Sequence, residues 1–216
     1  MKGNDLFFTK TLEIIKKCKI IPIIEVCSIN QIGKLLELYN DAGFQSMEVK
    51  MCAPYSQHII KEIKNKYPNT CIMAGTCTTI MDIKKAHLLG VDILVSPEFN
   101  ESLINYCYKQ NIPYIPNINS EQNLSTAYSL GYKVVKFYPA DKIGGIDFLR
   151  KNQKKYDIQF MASGGLTLNK IQMYNKEPNI AACCTSHISS IKLLAKNDWY
   201  NICKNIVSAK NIIMEN

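Results

Sequence analysis

Short apolar, β-branched runs alternate along this chain with longer amphipathic stretches. The apolar runs predict strands over 20–26, 46–51, 71–75, 93–96, 114–117, 133–138, 159–162 and 180–183. They recur at intervals of roughly 20 to 25 residues, the size of a compact βα unit. Between them the polar pattern has helical period. Residues 30–41 put Ile32, Leu35, Leu36 and Tyr39 on one face, and 78–89 do the same with Ile83, Ala86 and Leu89. Asn100 is placed to cap a helix running to Gln110. Ser120 is placed to cap the next, with Asn123 at the third position of a capping box. Gly43, Gly90 and Gly131 follow helical stretches, where a left-handed residue closes the last turn. A further helix over 6–17 precedes the first strand. Eight strands, each followed by a helix, predict an α/β fold: a single (β/α)8 TIM-barrel domain over 1–216 with an N-terminal helix. An open doubly wound sheet is the alternative, disfavoured because no Gly-x-Gly-x-x-Gly follows any strand.

Strands buried on both faces should be almost wholly apolar, so charges inside them are informative. The sharpest is Lys136, within Val134–Val135–Lys136–Phe137–Tyr138. Alternation puts Val134, Lys136 and Tyr138 on one face and Val135 and Phe137 on the other. If the latter face meets helices, Lys136 points into the barrel. Desolvation there would lower its pKa and make a nucleophilic amine, as a Schiff base with a carbonyl requires. The plainer alternative is a strand-end lysine reaching solvent. Glu48 is the second violation, sharing a face with Lys50 and, if the strand continues, Cys52. It suits a general acid/base, or an ion pair with Lys50 or Lys136 that only satisfies buried charge. Gly75–Thr76, Ser96–Pro97, Ser163–Gly164–Gly165 and Thr185–Ser186 end other strands, on the barrel face where active sites lie. Each alone is an ordinary turn; Ser163–Gly164–Gly165 also falls where barrels bind phosphate through backbone N–H groups.

Composition narrows the partners. The 216 residues are 47% hydrophobic and 20% charged, enough for a core without a metal or disulfide staple. Net charge is +8, yet only Arg150 among the 26 basic residues is an arginine, and the lysines form no dense tract. Nucleic-acid readers favour the guanidinium fork, so a nucleic-acid partner is not expected. Nine cysteines cannot all pair within the chain, and several sit in apolar runs. They read as reduced, buried small hydrophobes of a cytoplasmic protein. No Cys-x-x-Cys occurs and His58, His87 and His187 lie far apart, so no metal framework is visible. The first apolar run is broken by Glu25, too short for a signal core or a membrane span.

The chain resembles the KDPG/KHG aldolases, which cleave 2-keto-3-deoxy-6-phosphogluconate or 4-hydroxy-2-oxoglutarate to pyruvate plus an aldehyde. The resemblance rests on Ile21–Pro22–Ile23–Ile24, Met47–Glu48–Val49, Ala74–Gly75–Thr76, Val95–Ser96–Pro97, Ile115–Pro116–Asn117, Val135–Lys136–Phe137–Tyr138–Pro139–Ala140 and Ser163–Gly164–Gly165–Leu166. It implies a homotrimeric barrel and a class I aldolase that needs no cofactor or metal and takes a small pyruvate-type keto acid. Lys136 matches the Schiff-base lysine and Glu48 the general acid/base. Thr76 and Pro97 match pocket residues beside the pyruvyl group. Phe137 and Tyr138 match the aromatic pair after the lysine, and Phe137 is expected among the substrate-binding residues. Ser163 stands where the family usually has a threonine that touches substrate hydroxyls. Gly164, Gly165 and Ser186 match the phosphate site.

The chain departs from the family in ways that bear on the substrate. The arginine that holds the pyruvate carboxylate, four residues after the glutamate, is here Cys52. Lys50 lies one pleat earlier on the same face and is the expected replacement cation. Glu25 and Glu98 add acids near the mouth, and Cys184–Thr185 replaces a glycine pair before Ser186. These changes suit a smaller or less anionic 2-keto acid. Two other readings stay open at this level: a catalytically impaired barrel that binds a keto acid or phosphate, or serves as a trimeric interaction module, and a metal-dependent lyase on the same fold.

Overall fold

A computed structural model describes residues 2–214. Its strands are β1 (Lys19–Ile24), β2 (Ser46–Lys50), β3 (Cys71–Gly75), β4 (Ile93–Val95), β5 (Tyr114–Ile115), β6 (Asn117–Ile118), β7 (Val134–Phe137), β8 (Gln159–Ser163) and β9 (Ile180–Thr185). The helices are α1 (Lys2–Lys16), α2 (Ile32–Asp41), α3 (Ser56–Lys66), α4 (Ile80–Leu88), α5 (Glu101–Gln110), α6 (Glu121–Ser129), α7 (Gly145–Gln153), α8 (Leu168–Tyr174), α9 (Ile191–Ala195) and α10 (Trp199–Met214).

All strand pairs are parallel, in the order β5-β4-β3-β2-β1-β9-β8-β7-β6. The strand expected over 114–117 is split at Pro116, which has no N–H to give a ladder. Tyr114 and Ile115 pair with β4, whereas Asn117 and Ile118 pair with β7. The Pro116 carbonyl accepts the Lys136 N–H at 2.9 Å and carries the bonding across the break. The two short segments therefore fill one position of an eight-position barrel.

Apolar side chains sort into two layers. Inside the ring lie Ile21, Met73, Ile93, Val95, Ile115, Val134, Met161, Ala182 and Cys184. Ile15 at the end of α1 and Cys18 join this cluster and close the N-terminal end of the barrel. Between strands and helices lies the larger layer, which takes Val135 and Phe137 from β7 and the Ile32, Leu35, Leu36 and Tyr39 stripe of α2. The alternation read in the sequence is thus the division between barrel interior and helix contact.

Local signals act largely as expected. Thr79 caps α4 in a reciprocal box with Asp82, and the Asn100 side chain accepts the Leu103 N–H at 3.1 Å. At α6 only half of the box forms: Ser120 accepts the Asn123 N–H at 3.2 Å. Gly43, Gly90 and Gly131 all take positive φ. The lone arginine is structural. Arg150 on α7 donates from Nε and Nη2 to the buried carboxylate of Glu177, at 2.7 to 3.1 Å. The cysteines correct one expectation. Cys18, Cys77, Cys107, Cys183 and Cys184 are buried, but Cys71 and Cys203 are half-buried and Cys27 and Cys52 are exposed. All nine are free thiols. No helix among the described residues is long and apolar enough to cross a membrane.

Candidate active site

β2 and β7 stand on opposite sides of the barrel, four positions apart around the ring. Glu48 and Lys136 project inward from them and meet across the lumen. The Lys136 Nζ donates to Glu48 Oε1 at 2.8 Å and to Oε2 at 3.1 Å. The residues are only 5% and 2% exposed, so the ammonium does not reach bulk solvent. This corrects one expectation about Lys136. Burial alone pulls its pKa down, but the Glu48 carboxylate outweighs that, and the net shift is upward. The resting amine is protonated and becomes nucleophilic only by passing its proton on. Lys50 is not the partner of Glu48; it forms an ion pair with Glu25 instead.

Two backbone features mark the end of β3 beside Glu48. Gly75, across the β2–β3 ladder, leaves the space its carboxylate occupies: a Cβ there would lie 2.2 Å from Oε1. The next residue, Thr76, has φ +62°. A β-branched residue rarely adopts that conformation, and backbone strain of this kind concentrates at functional sites.

A cavity of about 380 Å³ opens at the C-terminal ends of β7, β8, β9, β1 and β2; Lys136 and Glu48 do not line it themselves. Lys50, Tyr138, Ser163, Gly164, Gly165 and Ser186 line it, together with Ile23, Cys184, Thr185 and His187. Gly164 has φ +95°, and a Cβ there would meet the Tyr138 ring at 2.9 Å and Pro139 Cα at 3.0 Å. Glycine therefore lets this loop close against Tyr138. Thr185 fixes the opposite wall: its hydroxyl donates to the Leu166 carbonyl at 2.6 Å and accepts the His187 N–H at 2.9 Å. Burial pushes the Cys184 thiol pKa well up, and the nearby Glu48 carboxylate adds to the rise, so the thiol stays protonated.

Five of the expected binding residues, Lys50, Ser163, Gly164, Gly165 and Ser186, are thus brought together around one cavity. Thr76 and Pro97 lie on the other half of the rim, after β3 and β4. Phe137 is a correction. It is fully buried on the helix side, stacked on Phe148 at 5.0 Å and edge-on to Phe160 at 5.9 Å. Its neighbour Tyr138 meets the cavity instead, with Lys136 Nζ 5.9 Å from its ring centre. The pleat had already put Phe137 on that outer face. Cys52 is exposed at the rim. Among the described residues, no three His, Cys, Asp or Glu side chains are grouped to hold a metal ion.

Asn117 is a role that sequence reasoning missed. It is 1% exposed, and its Nδ2 donates to the Pro97 carbonyl at 2.8 Å and the Tyr138 carbonyl at 2.9 Å. One side chain thus ties the ends of β4 and β7 together, on the strand beside Lys136. The available signal was an amide in a strand otherwise read as apolar. Asn117→Ala is expected to cost roughly 2 kcal/mol through the two carbonyls it orphans. A urea denaturation midpoint would measure the loss, and an unchanged midpoint would refute the bracing role.

A parallel barrel that holds a buried amine against a carboxylate, near an open cavity on its C-terminal rim, has the parts that an enzyme for a carbonyl substrate needs. Comparison with known proteins makes this specific. The family profile described as KDPG and KHG aldolase matches residues 12–205. The chain belongs to that family. The 2-dehydro-3-deoxy-phosphogluconate aldolase of Haemophilus influenzae is 29% identical over 88% of this chain and 91% of its own. The KHG/KDPG aldolase of Escherichia coli is 22% identical, over 91% and 92%. Among solved structures, a Legionella pneumophila KDPG aldolase, with pyruvate captured as a covalent carbinolamine, superposes with a TM-score of 0.85 at 24% identity. That match covers 92% of this chain and 97% of the other. A tryptophan synthase alpha chain also superposes, with a TM-score of 0.68 at 12% identity, so the barrel by itself does not fix the chemistry.

Proposed function

We propose that Lys136 and Glu48 carry the reaction of a class I aldolase that cleaves a 2-keto-4-hydroxy acid, of the KDPG or 4-hydroxy-2-oxoglutarate type, to pyruvate plus an aldehyde. Membership of the family makes the chain an aldolase, a carbon–carbon lyase. The observation that carries the residue assignment is the buried Lys136–Glu48 pair, whose ammonium lies 5.9 Å from the ring of the cavity-lining Tyr138.

In this reading the ion pair is the resting state. As the substrate carbonyl approaches, the Lys136 ammonium gives its proton to Glu48, and the freed amine attacks C2 to form a carbinolamine. Glu48 returns the proton to the departing hydroxyl, and loss of water leaves a protonated imine. The Glu48 carboxylate then takes the proton of the C4 hydroxyl. The C4–O bond becomes a carbonyl, the C3–C4 electron pair moves toward the iminium nitrogen, and the aldehyde leaves. The enamine is protonated at C3, and water releases pyruvate and the Lys136 amine. The first of these transfers is supported directly, since both Glu48 oxygens contact Nζ; the later ones are assigned to the same carboxylate.

The binding roles follow the cavity. Lys50 takes the place of the missing arginine as the cation for the keto-acid carboxylate. Ser163, Gly164, Gly165 and Ser186 receive the distal end of the substrate. Thr76 and Pro97 bound the pyruvyl group from the other half of the rim. We further propose that the protein acts as a single-domain enzyme, from its regular βα rhythm, in the cytoplasm, from its unpaired cysteines, and assembles as a homotrimer, on the strength of the family resemblance.

Borohydride reduction in the presence of pyruvate, followed by peptide mass mapping, tests the assignment. The expected result is a reduced adduct on Lys136. No adduct at saturating pyruvate would overturn it in favour of a binding barrel, and an adduct on Lys50 would move the catalytic lysine.

A further inference from the structure

Lys50 supplies the only fixed positive charge among the side chains lining the cavity, and it is not free. The β1–β2 register pairs Ile23 with Glu48 and Ile24 with Val49, which carries Glu25 to the position beside Lys50. The Glu25 carboxylate accepts a charge-assisted hydrogen bond from the Lys50 ammonium. Both side chains are partly exposed, 25% and 34%, so neither is locked into the core. Glu25 itself does not line the cavity. The cation at the mouth is therefore held from the rim by an acid of the protein's own.

We infer that Glu25 occupies Lys50 in place of the keto acid's carboxylate, so that substrate binding is an exchange of one carboxylate for another. The inference rests on the reading of Lys50 as the carboxylate-binding cation and goes beyond it by making Glu25 a specificity-determining residue. The physical argument is competition for one point charge. A guanidinium could hold two acids through separate N–H pairs, whereas a lysine ammonium is a compact charge that binds one carboxylate well. An entering keto acid must displace Glu25 or accept its repulsion at close range. A carbonyl compound without a carboxylate gains nothing at Lys50 and leaves the internal pair closed. The pair thus selects for acids over simple aldehydes and ketones and weakens the grip on the pyruvate released in the reaction.

The experiment is a double-mutant cycle on pyruvate imine formation. The pyruvate concentration that half-saturates borohydride trapping on Lys136 is measured in the wild-type protein, Glu25→Gln, Lys50→Met and the double variant, each checked for unchanged thermal unfolding. Glu25→Gln is expected to lower the half-saturating concentration by about three- to tenfold, in line with a partly exposed charge pair. Lys50→Met is expected to raise it, and adding Glu25→Gln to Lys50→Met is expected to change nothing further. An equal gain from Glu25→Gln in both backgrounds would overturn the exchange, because it would mean simple repulsion without occupation of Lys50. A higher half-saturating concentration in Glu25→Gln would overturn it in the other direction, making Glu25 a support for Lys50. If no protein forms a Lys136 adduct, the aldolase assignment falls and this inference with it. If the adduct forms but Glu25→Gln leaves its half-saturation unchanged, only the inference falls.

Discussion

Lys136→Met is expected to abolish the borohydride-trapped pyruvate adduct and to lower aldol cleavage by at least about 10⁴-fold, since no imine can form without the amine. The same substitution should also destabilise the fold. It leaves the Glu48 carboxylate buried without the ammonium that both of its oxygens contact. Removing one partner of a buried pair costs about 3–5 kcal/mol, whereas replacing both with apolar groups of similar volume is often neutral or stabilising. Lys136→Met/Glu48→Leu is therefore expected to regain stability while remaining inactive. Urea unfolding of the two variants, read beside the trapping assay, separates the two roles. A single variant as stable as the wild type would show that Glu48 takes up a proton or finds other partners. Turnover within tenfold of wild type in Lys136→Met would remove Lys136 from the chemistry altogether.

That expected contrast has a simple origin: in the proposed reading the pair serves reactivity, not stability. An aliphatic barrel interior could be built at these two positions at lower cost, and the layers below them are built that way. The same reasoning makes the charges visible in the sequence. Lys136 and Glu48 stand out because their strands are otherwise apolar on the inward face, and period-two alternation fixes which way each points. The barrel was legible for a related reason, since eight apolar runs at regular spacing leave few other folds. The pleat also gave the correct outward direction for Phe137, while the family pattern pointed to substrate contact. In the fold the pleat prevails, because Phe148 and Phe160 wait on the helix side.

What the sequence did not disclose depends on contacts between distant segments. The upward shift of the Lys136 pKa follows from a carboxylate 88 positions away that lies across the lumen. Local reasoning sees desolvation and expects the opposite sign. The pairing of Lys50 with Glu25 is likewise a matter of register, since alternation alone puts Glu48 and Lys50 on one face and invites a bond between them. The split at Pro116 was foreseeable from the missing N–H, but its consequence was not. The break leaves Asn117 on the ladder beside Lys136, where its amide braces two rim loops.

Gly75→Ala is expected to reduce kcat by at least about 10²-fold, more than any other single-methyl change at the site. The added Cβ would stand 2.2 Å from Glu48 Oε1 and 2.9 Å from both Cδ and Cγ. Contacts that close cannot persist, and what yields must be the side chain or the strand. Gly75 pairs with Lys50 in the β2–β3 ladder, so its backbone is held on that side. Glu48 is a buried side chain and its rotation is the cheaper response, at an overpacking cost of about 1–3 kcal/mol. Rotation separates the carboxylate from Lys136 Nζ, and loss of a positioned acid/base typically costs 10²- to 10⁴-fold. The amine itself remains, so pyruvate should still be trapped on Lys136 at a reduced rate. Slow trapping with strongly impaired turnover would isolate the contribution of Glu48 without altering its charge. A kcat within threefold of wild type would mean that the carboxylate is not held where proton transfer requires it, and Glu48 would lose its assigned role.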